Sequence, residues 1–164
     1  MNLLINFFAT YLIFLLPAIG LYFFFIKNDY PLVFKMTLAA LVWRATDIII
    51  KSVLFVPRPY MINHLPTYVT TAPIDSSFPS THTMLAAAIS TVIYKRHPKL
   101  GLFLFLISLL IGLGRIMANV HYPRDIFGGL ILGVIIGLFC DKILSCQTLS
   151  SRFPHLRKKK KKKN

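Results

Sequence analysis

Five apolar stretches constrain the fold of this chain more than any other feature of its sequence. A helix that rises about 1.5 Å per residue needs roughly 20 apolar residues to cross the hydrocarbon core of a bilayer. The third stretch is short and reaches the surface only through the long side chains of Lys95 and Arg96. The sequence therefore predicts an all-α, polytopic transmembrane helix bundle with about five spanning helices. The predicted spans are Leu3 to Ile26, Pro31 to Phe55, Ser80 to Tyr94, Leu100 to Ala118 and Asp125 to Leu144.

The composition agrees with a membrane location and argues against nucleic-acid binding. Of the 164 residues, 55% are hydrophobic, and the mean hydropathy of +0.65 is too high for a water-soluble domain of this size. The formal net charge is +14, but six of the lysines form one terminal run, Lys158 to Lys163. We therefore expect the membrane as a partner, and no nucleic acid.

The cysteines and the N-terminus indicate neither a structural metal nor a cleaved signal. Cys140 and Cys146 have no second cysteine pair and no histidine at zinc-finger spacing. The N-terminus lacks a basic region, and its apolar stretch is longer than that of a signal peptide. We interpret Leu3 to Ile26 as a retained span.

The placement of lysine and arginine predicts the orientation, because these residues are retained on the cytoplasmic side. With the N-terminus outside, most of the cations fall inside: Lys27, Lys95, Arg96, Lys99, Lys142, Arg152, Arg157 and the lysine run. Four cations remain at the outer side, where the rule disfavours them: Lys51, Arg58, Arg115 and Arg124. Binding of an anion is the interpretation we favour for these four.

Charged residues also occur inside the second span. Arg44, Asp47 and Lys51 are spaced i, i+3, i+7 and are predicted to line one face of the helix. Each charge facing lipid would cost on the order of 2.5 to 3.5 kcal/mol, so we expect all three to face the bundle. For Arg44 and Asp47 an internal ion pair without further function remains an open alternative.

Glycines recur every four residues in the fifth span, at Gly129, Gly133 and Gly137. Such a stripe of small residues lets another helix approach closely. We expect this contact to lie inside the monomer rather than in a dimer interface.

Three short polar clusters interrupt the apolar background, and the predicted topology places all three at the outer surface. The first runs from Lys51 to Pro59, with Lys51 on the last turns of the second helix and Arg58 just beyond its end. Arg58 can present a planar fork to phosphate oxygens, and Lys51 can supply a point charge. Cations that only anchor a helix end at the interface have the same pattern, so this cluster alone is ambiguous.

The second cluster is Phe78-Pro79-Ser80-Thr81-His82. Ser80 is a natural N-cap, and a helix start offers unpaired N–H groups and partial positive charge that suit a phosphate. By itself this cluster is a helix cap with a structural histidine in the first turn.

The third cluster runs from Gly114 to Asp125. Pro123 favours a helix that begins near Tyr122 or Pro123, so His121 and Asp125 can meet across its first turn. Asp125 would then accept a proton from one ring nitrogen of His121 and leave the other free as a nucleophile.

In their order and spacing, the three clusters resemble the signature motifs of the type 2 phosphatidic acid phosphatase superfamily. The matching patterns are Lys51-x6-Arg58-Pro59, Pro79-Ser80-Thr81-His82 and Arg115-x5-His121-x3-Asp125. With the connecting helices, the resemblance covers roughly Lys51 to Gly137.

The resemblance implies a role for each matching residue. His121 would attack phosphorus and form a phosphohistidine, Asp125 would orient it, and His82 would protonate the leaving oxygen. Lys51, Arg58, Arg115, Ser80 and Thr81 would bind the phosphoryl oxygens, with no metal or cofactor. Residues 1–150 would form one transmembrane phosphatase domain, and residues 151–164 a basic cytoplasmic tail.

Two positions depart from the family pattern, because Thr81 replaces the usual glycine and Gly114 the usual serine. These changes put phosphate affinity in doubt rather than the nucleophile or the acid. The connection Tyr60–Ser77 mixes apolar and polar residues and is either a substrate-gating segment beside the site or an ordinary loop.

Within the superfamily, the chain looks most similar to bacterial undecaprenyl pyrophosphate phosphatases of the plasma membrane, which recycle a cell-wall carrier lipid at the outer face. Phosphatidylglycerophosphate, phosphatidic acid and lipid A phosphate are alternative substrates that the same residues would serve. Vanadium-dependent haloperoxidases share the motifs but are soluble. A non-enzymatic lipid-binding or lipid-transporting relative is disfavoured, because a binder needs neither His82 nor the pair of His121 and Asp125.

Overall fold

The structure, a computed structural model, describes residues 3–69 and 73–152, with side chains described as far as residue 144. No β-strand occurs in these two ranges, which confirms the all-α prediction. The helices are α1 (Leu3–Phe25), α2 (Tyr30–Val53), α3 (Pro59–Asn63), α4 (Thr81–Tyr94), α5 (Pro98–Met117) and α6 (Pro123–Arg152).

Local sequence signals define most of the helix starts. Asp29 is the N-cap of α2, and its Oδ1 accepts a hydrogen bond of 3.3 Å from the backbone N–H of Leu32. The first turns of α2, α5 and α6 contain Pro31, Pro98 and Pro123, where the missing N–H of proline leaves no hydrogen bond unmade. The last helix continues to Arg152, past the predicted end at Leu144. The predicted tail therefore starts within α6, and its residues from 153 onward lie outside the described residues.

Membrane-spanning character is clear for three of the helices. By length and composition α1, α5 and the part of α6 from Pro123 to Leu144 are suited to cross a bilayer. The other two predicted spans differ for separate reasons: α2 has 24 residues but carries four charged side chains, whereas α4 has only 14 residues.

The short helix α4 lies at the centre of the bundle and packs against α2, α5 and α6. Ten of its 14 residues are buried, including the run Ala86–Ala88. A helix covered by other helices does not need to match the bilayer with its own length, because protein rather than lipid surrounds its ends.

The glycine stripe of α6 faces α4, which confirms the predicted packing inside the monomer. A Cβ at Gly129 would lie 2.9 Å from the carbonyl oxygen of Ser80, and one at Gly137 would lie 2.7 Å from that of Ala88. The two backbones therefore approach more closely than any larger residue would permit.

Ion pairs join the helix ends on the side of the bundle opposite the three polar clusters. Nε of Arg96 lies 2.5 Å from Asp29, and Nζ of Lys35 lies 2.5 Å from Asp141. The ring of His97 stacks on Phe23 with a centroid distance of 5.0 Å. These contacts join α1 and the start of α2 to the connection between α4 and α5, and α2 to α6.

Candidate active site

The ends of α2, α4, α5 and α6 converge, and the three polar clusters of the sequence meet there. The backbone N–H of Ser80 donates to the carbonyl of Asp125 at 3.1 Å, which joins the starts of α4 and α6. Arg58 reaches the carbonyl of Val120 at 2.9 Å, which joins the first cluster to the third. The structure therefore brings the three polar clusters together, as predicted from the sequence.

His121 and Asp125 are paired across the start of α6. Nδ1 of His121 lies 3.5 Å from Oδ2 of Asp125, and both side chains are almost fully buried. The same carboxylate oxygen accepts hydrogen bonds from the hydroxyl of Ser77 and, at 2.8 Å, from the backbone N–H of Tyr122. Asp125 is thus fixed by two donors while it faces the imidazole, as its position four residues after His121 predicted.

The other ring nitrogen of His121 identifies the tautomer. Nη1 of Arg58 lies 3.2 Å from Nε2 of His121. Because a guanidinium only donates, Nε2 must be the acceptor, and the ring proton of a neutral imidazole then sits on Nδ1 and points towards Asp125. The lone pair of Nε2 is the one that a nucleophilic histidine uses.

The surroundings of His121 also keep it neutral. Burial and, to a smaller extent, the charges of Arg115 and Arg58 lower its pKa from 6.5 to about 4, against the opposing effect of Asp125. The imidazole is therefore unprotonated at neutral pH, which is the form that can attack phosphorus.

Arg58 is buried and uses all five of its N–H donors within the protein. Nε donates to the carbonyl of Asp75 at 3.0 Å, and Nη1 donates to Val120 and to His121. Nη2 donates to the carboxylate of Asp75 at 2.5 Å and to the carbonyl of Ser76 at 3.1 Å. The guanidinium is therefore held in one orientation at the centre of the site.

Lys51 is held by its neighbours on α2 and α4. Its Nζ donates to the hydroxyl of Thr81 at 2.7 Å and lies 3.6 Å from Asp47. The hydroxyl of Thr81 in turn donates to Asp47 at 3.0 Å. Thr81, one of the two departures from the family pattern, thus links Lys51 to a buried carboxylate.

The prediction that Arg44, Asp47 and Lys51 all face the bundle is wrong for Arg44. Its side chain is 59% exposed, and it reaches the buried Asp47 from outside at 3.2 Å. Asp47 and Lys51 do face inward, with 3% and 9% of their side chains exposed. A long side chain allows Arg44 to pair with Asp47 without entering the bundle.

Ser80 and His82 lie at the start of α4. Ser80 occupies the N-cap position, but its hydroxyl makes no cap hydrogen bond; it pairs with the hydroxyl of Thr83 at 3.0 Å instead. Nδ1 of His82 is buried and has no hydrogen-bond partner among the described residues, and His82 interacts electrostatically with Arg115, His121, Lys51 and Arg58. His82 therefore shares one site with His121 and has a ring nitrogen free for a further partner.

Arg115 completes the group of three cations. It is 5% exposed, and its Nη1 donates to the carbonyl of Ala9 at 3.3 Å. Its Nε is buried and has no partner within the part of the chain that the structure describes. The acceptor lies in a π-helical turn of α1, Phe7–Tyr11, where the looser winding is suited to present carbonyl groups sideways.

The glycine before Arg115, the second departure from the family pattern, has a packing role. A Cβ at Gly114 would lie 2.8 Å from the backbone nitrogen of Ala9 and from the carbonyl carbon of Phe8. Gly114 thus allows α1 to pack tightly against α5 beside the site.

Two residues of the site were missed by the reading of the sequence. Asp75 accepts from Nζ of Lys51 at 2.7 Å as well as from Arg58, although half of its side chain is exposed. Burial works against ionisation of Asp75, but the hydrogen bonds from Lys51 and Arg58 outweigh it and lower its pKa. Ser77 holds Asp125 and is likewise in an irregular segment, where no periodic pattern could have identified it.

The predicted gating segment is partly tied to the site. The hydroxyl of Tyr60 donates to the carbonyl of Pro73 at 2.8 Å, and Asn63 donates to Asn119 at 2.9 Å. Residues 70–72 lie outside the described residues, and a gating role for Tyr60–Ser77 stays a prediction.

In the described part of the chain no three His, Cys, Asp or Glu side chains are grouped as a metal site would need.

Comparison with known proteins gives one family and several relatives. A sequence model of the PAP2 superfamily matches residues 30–147. Over 89 residues, 54% of this chain, the sequence is 42% identical to the undecaprenyl-diphosphatase BcrC of Bacillus subtilis (strain 168). Over 66 residues, 40% of this chain, it is 42% identical to the bacitracin transport permease protein BcrC of Bacillus licheniformis. The matched regions span 46% and 32% of the length of these two relatives.

Solved structures share the fold. The crystal structure of LpxE from Aquifex aeolicus superimposes with a TM-score of 0.69 and 27% identity, over 87% of this chain and 88% of that one. The transmembrane PAP2-type phosphatidylglycerolphosphate phosphatase of Bacillus subtilis gives a TM-score of 0.61 at 24% identity, over 82% of this chain and 69% of that one.

Proposed function

The chain belongs to the PAP2 superfamily, and from that premise we propose that it is a membrane lipid phosphatase that works through a phosphohistidine on His121. The substrate we propose is undecaprenyl diphosphate, which would be hydrolysed to undecaprenyl phosphate and inorganic phosphate. The sequence is 42% identical to that of a Bacillus subtilis undecaprenyl-diphosphatase over 54% of the chain, and this similarity supports the choice.

One observation carries the proposal, namely the position of Nη1 of Arg58 at 3.2 Å from Nε2 of His121. It gives a neutral imidazole whose proton faces Asp125 and whose lone pair faces the cations. A structural histidine has no need of this tautomer between a carboxylate and a guanidinium, whereas a nucleophile does.

The first half of the reaction transfers the phosphoryl group to the protein. As Nη1 of Arg58 transfers its hydrogen bond from Nε2 of His121 to a phosphoryl oxygen, the lone pair of Nε2 attacks the terminal phosphorus. The bond from phosphorus to the bridging oxygen breaks, and His82 gives a proton to that oxygen. The negative charge of the bound headgroup favours the protonated form of His82 that this step needs. Asp125 stabilises the positive charge that develops on His121.

The second half releases phosphate. His82, now neutral, takes a proton from a water molecule, and the hydroxide attacks the phosphohistidine as the bond to Nε2 breaks. The products are inorganic phosphate and the lipid with one phosphate fewer, and both histidines return to their starting states. Lys51, Arg58 and Arg115 stabilise the charge on the equatorial oxygens in both halves, together with the free N–H groups at the start of α4.

The lipid and the side of the membrane are part of the proposal. Phosphatidylglycerophosphate, phosphatidic acid and lipid A phosphate offer the same terminal phosphoryl group and are the alternative substrates. The site would face the outside of the cell, because the end of the bundle with Lys27, Lys95, Arg96 and Lys99 is the one expected in the cytoplasm. The basic tail would then also be cytoplasmic.

A panel of substrates tests the proposal directly. Phosphate release by the purified protein in detergent is measured with undecaprenyl diphosphate and the three alternative lipids, with and without a chelator. We expect undecaprenyl diphosphate to be preferred, turnover to persist in chelator, and vanadate to inhibit. His121→Ala and His82→Ala should abolish turnover, whereas His64→Asn, which changes an exposed histidine outside the site, should not.

The outcomes separate the competing functions. Binding of lipid without turnover by the wild-type protein would favour a lipid-binding or lipid-transporting relative. A strict requirement for a divalent metal would reject the phosphohistidine mechanism even if a lipid were hydrolysed.

A further inference from the structure

The carboxylate of Asp75 bridges two of the cations expected to bind phosphate. Oδ1 of Asp75 lies 2.5 Å from Nη2 of Arg58, and Oδ2 lies 2.7 Å from Nζ of Lys51. Two oxygens of one anion thus contact two cations from separate elements, as two oxygens of a phosphoryl group would. The side chain is 50% exposed, so it can leave the site towards water.

The hydrogen bonds of Arg58 leave no donor for a phosphate while Asp75 is in place. Three of its five N–H groups donate to the main-chain carbonyls of Asp75, Ser76 and Val120, and a fourth donates to His121. The fifth donates to the carboxylate of Asp75. Of these partners the carboxylate is the one that carries a negative charge and that a phosphate oxygen can replace one for one.

The segment around Asp75 would allow this exchange with little rearrangement. The N–H of Ser77 donates to the carbonyl of Val56 at 2.8 Å, and the hydroxyl of Ser76 accepts from the N–H of Val56 at 3.0 Å. Because these two hydrogen bonds hold the main chain next to Asp75 in place, rotation of the Asp75 side chain is sufficient to release Lys51 and Arg58.

We propose that Asp75 is an internal competitor for the phosphate site, and that the substrate headgroup binds Lys51 and Arg58 only by displacing its carboxylate. The proposal deepens the proposed function and depends on it for the identity of the anion, a phosphate. The apparent dissociation constant of any phosphate ligand is then the intrinsic one divided by the fraction of molecules in which Asp75 has left.

A role for Asp75 in positioning the cations is the opposite hypothesis, and the contacts argue against it. Lys51 retains Thr81 and Asp47 when Asp75 leaves. Arg58 retains three carbonyls and His121. Both cations therefore stay in place without the carboxylate.

Substitution of Asp75 gives the two hypotheses opposite signs. Asp75→Asn keeps the shape of the side chain and removes its charge, and Asp75→Ala removes both oxygens. Binding of inorganic phosphate and of vanadate to the purified full-length protein is measured by calorimetry, without any turnover. We expect both variants to bind both anions more tightly, by about tenfold, with the same factor for the two anions.

A matched control separates this effect from a general change in charge. Asp29→Asn also removes one negative charge, but it lies at the opposite end of the bundle and asparagine keeps its helix cap. Phosphate affinity should not change in this variant. Unchanged or weaker binding of phosphate in both Asp75 variants would overturn the proposal, and so would a wild-type protein and variants that bind no phosphate at all.

The failure of this inference is distinguishable from that of the proposed function. If Asp75→Asn binds phosphate more tightly but no lipid is hydrolysed, competition by the Asp75 carboxylate is supported and the proposed enzymatic function is rejected. If lipid is hydrolysed in the predicted manner and the affinity for phosphate does not rise, the reverse holds.

Discussion

The hydroxyl of Thr81 lies 2.7 Å from Nζ of Lys51, so the residue that departs from the family pattern in the second motif is a direct neighbour of a cation in the first. The same hydroxyl donates to Asp47 at 3.0 Å. A glycine at this position would leave Lys51 with fewer contacts and Asp47 without one of its donors. In this chain, the threonine compensates for the presence of a carboxylate inside α2.

The first prediction concerns this contact. Thr81→Val keeps the shape of the side chain and removes the hydroxyl, so Lys51 loses a partner next to the proposed phosphate. We expect KM to rise about tenfold with a smaller change in kcat, the size of one hydrogen bond to a charged group. Steady-state kinetics measure it, with Thr37→Val as the control, because the hydroxyl of the exposed Thr37 donates to the carbonyl of Val33 within its own helix. Equal KM values for Thr81→Val and Thr37→Val would contradict the assignment.

The second prediction concerns the orientation of His121, the proposed nucleophile. Asp125→Asn replaces the acceptor that faces Nδ1 of His121 and removes the charge that stabilises its cationic form. We expect kcat to fall by roughly 10³ to 10⁴ with little change in the binding of vanadate. Ser77→Ala, which removes one donor to Asp125, should lower kcat by about tenfold. A loss in Ser77→Ala as large as that in Asp125→Asn would mean that the serine has a direct role.

The fold and the pairing of His121 with Asp125 could be predicted because their signals are local. Helix starts at prolines, the spacing of four between His121 and Asp125, and the glycine stripe of α6 are all set within a few residues of the chain. Helix geometry alone determines which residues begin a helix and which lie on the same face of it.

The partners of Asp75 could not be predicted in the same way. Asp75 lies 24 residues from Lys51 and 17 from Arg58, in a segment without helix or strand periodicity. The prediction that Arg44 faces the bundle was wrong for a related reason. The position of a residue on a helix gives the direction of its Cα–Cβ bond, but not the path of a long side chain. The contacts of irregular segments and of long side chains can be identified only from the tertiary structure.

The third prediction concerns pH. The pKa of His121 is about 4 when folded, against 6.5 as its ordinary value. The unfolded chain therefore takes up a proton near pH 6.5 and the folded chain resists it until about pH 4. This contribution to the free energy of unfolding is complete above pH 6.5 and is lost as the pH falls from 6.5 towards 4, by on the order of 3 kcal/mol.

Thermal unfolding in detergent measures this dependence between pH 4 and pH 8. His121→Gln removes the titrating group, so its midpoint temperature should fall less steeply with decreasing pH than that of the wild-type protein. His64→Asn changes an exposed histidine and should follow the wild-type curve. Parallel curves for wild type and His121→Gln would show that burial of this imidazole does not lower its pKa.

The fourth prediction concerns the packing of α1 on α5. Gly114→Ser restores the residue usual in the family, but its Cβ would lie 2.8 Å from backbone atoms of Phe8 and Ala9. Because these atoms belong to the main chain, α1 must shift, and we expect a loss of about 1 to 3 kcal/mol in stability. Arg115 donates to the carbonyl of Ala9, so the shift should also raise KM.

Gly20→Ala is the matched control in α1, the helix against which Gly114 packs. Among the described residues, a Cβ there would meet the terminal methyl group of Met36 at 3.6 Å, which is ordinary van der Waals contact. Melting temperature and KM should therefore stay near wild type in Gly20→Ala and change together in Gly114→Ser. If Gly114→Ser is as stable as the control and its KM is lower, the serine hydroxyl contributes to phosphate binding without disturbing α1, and the packing role of Gly114 is wrong.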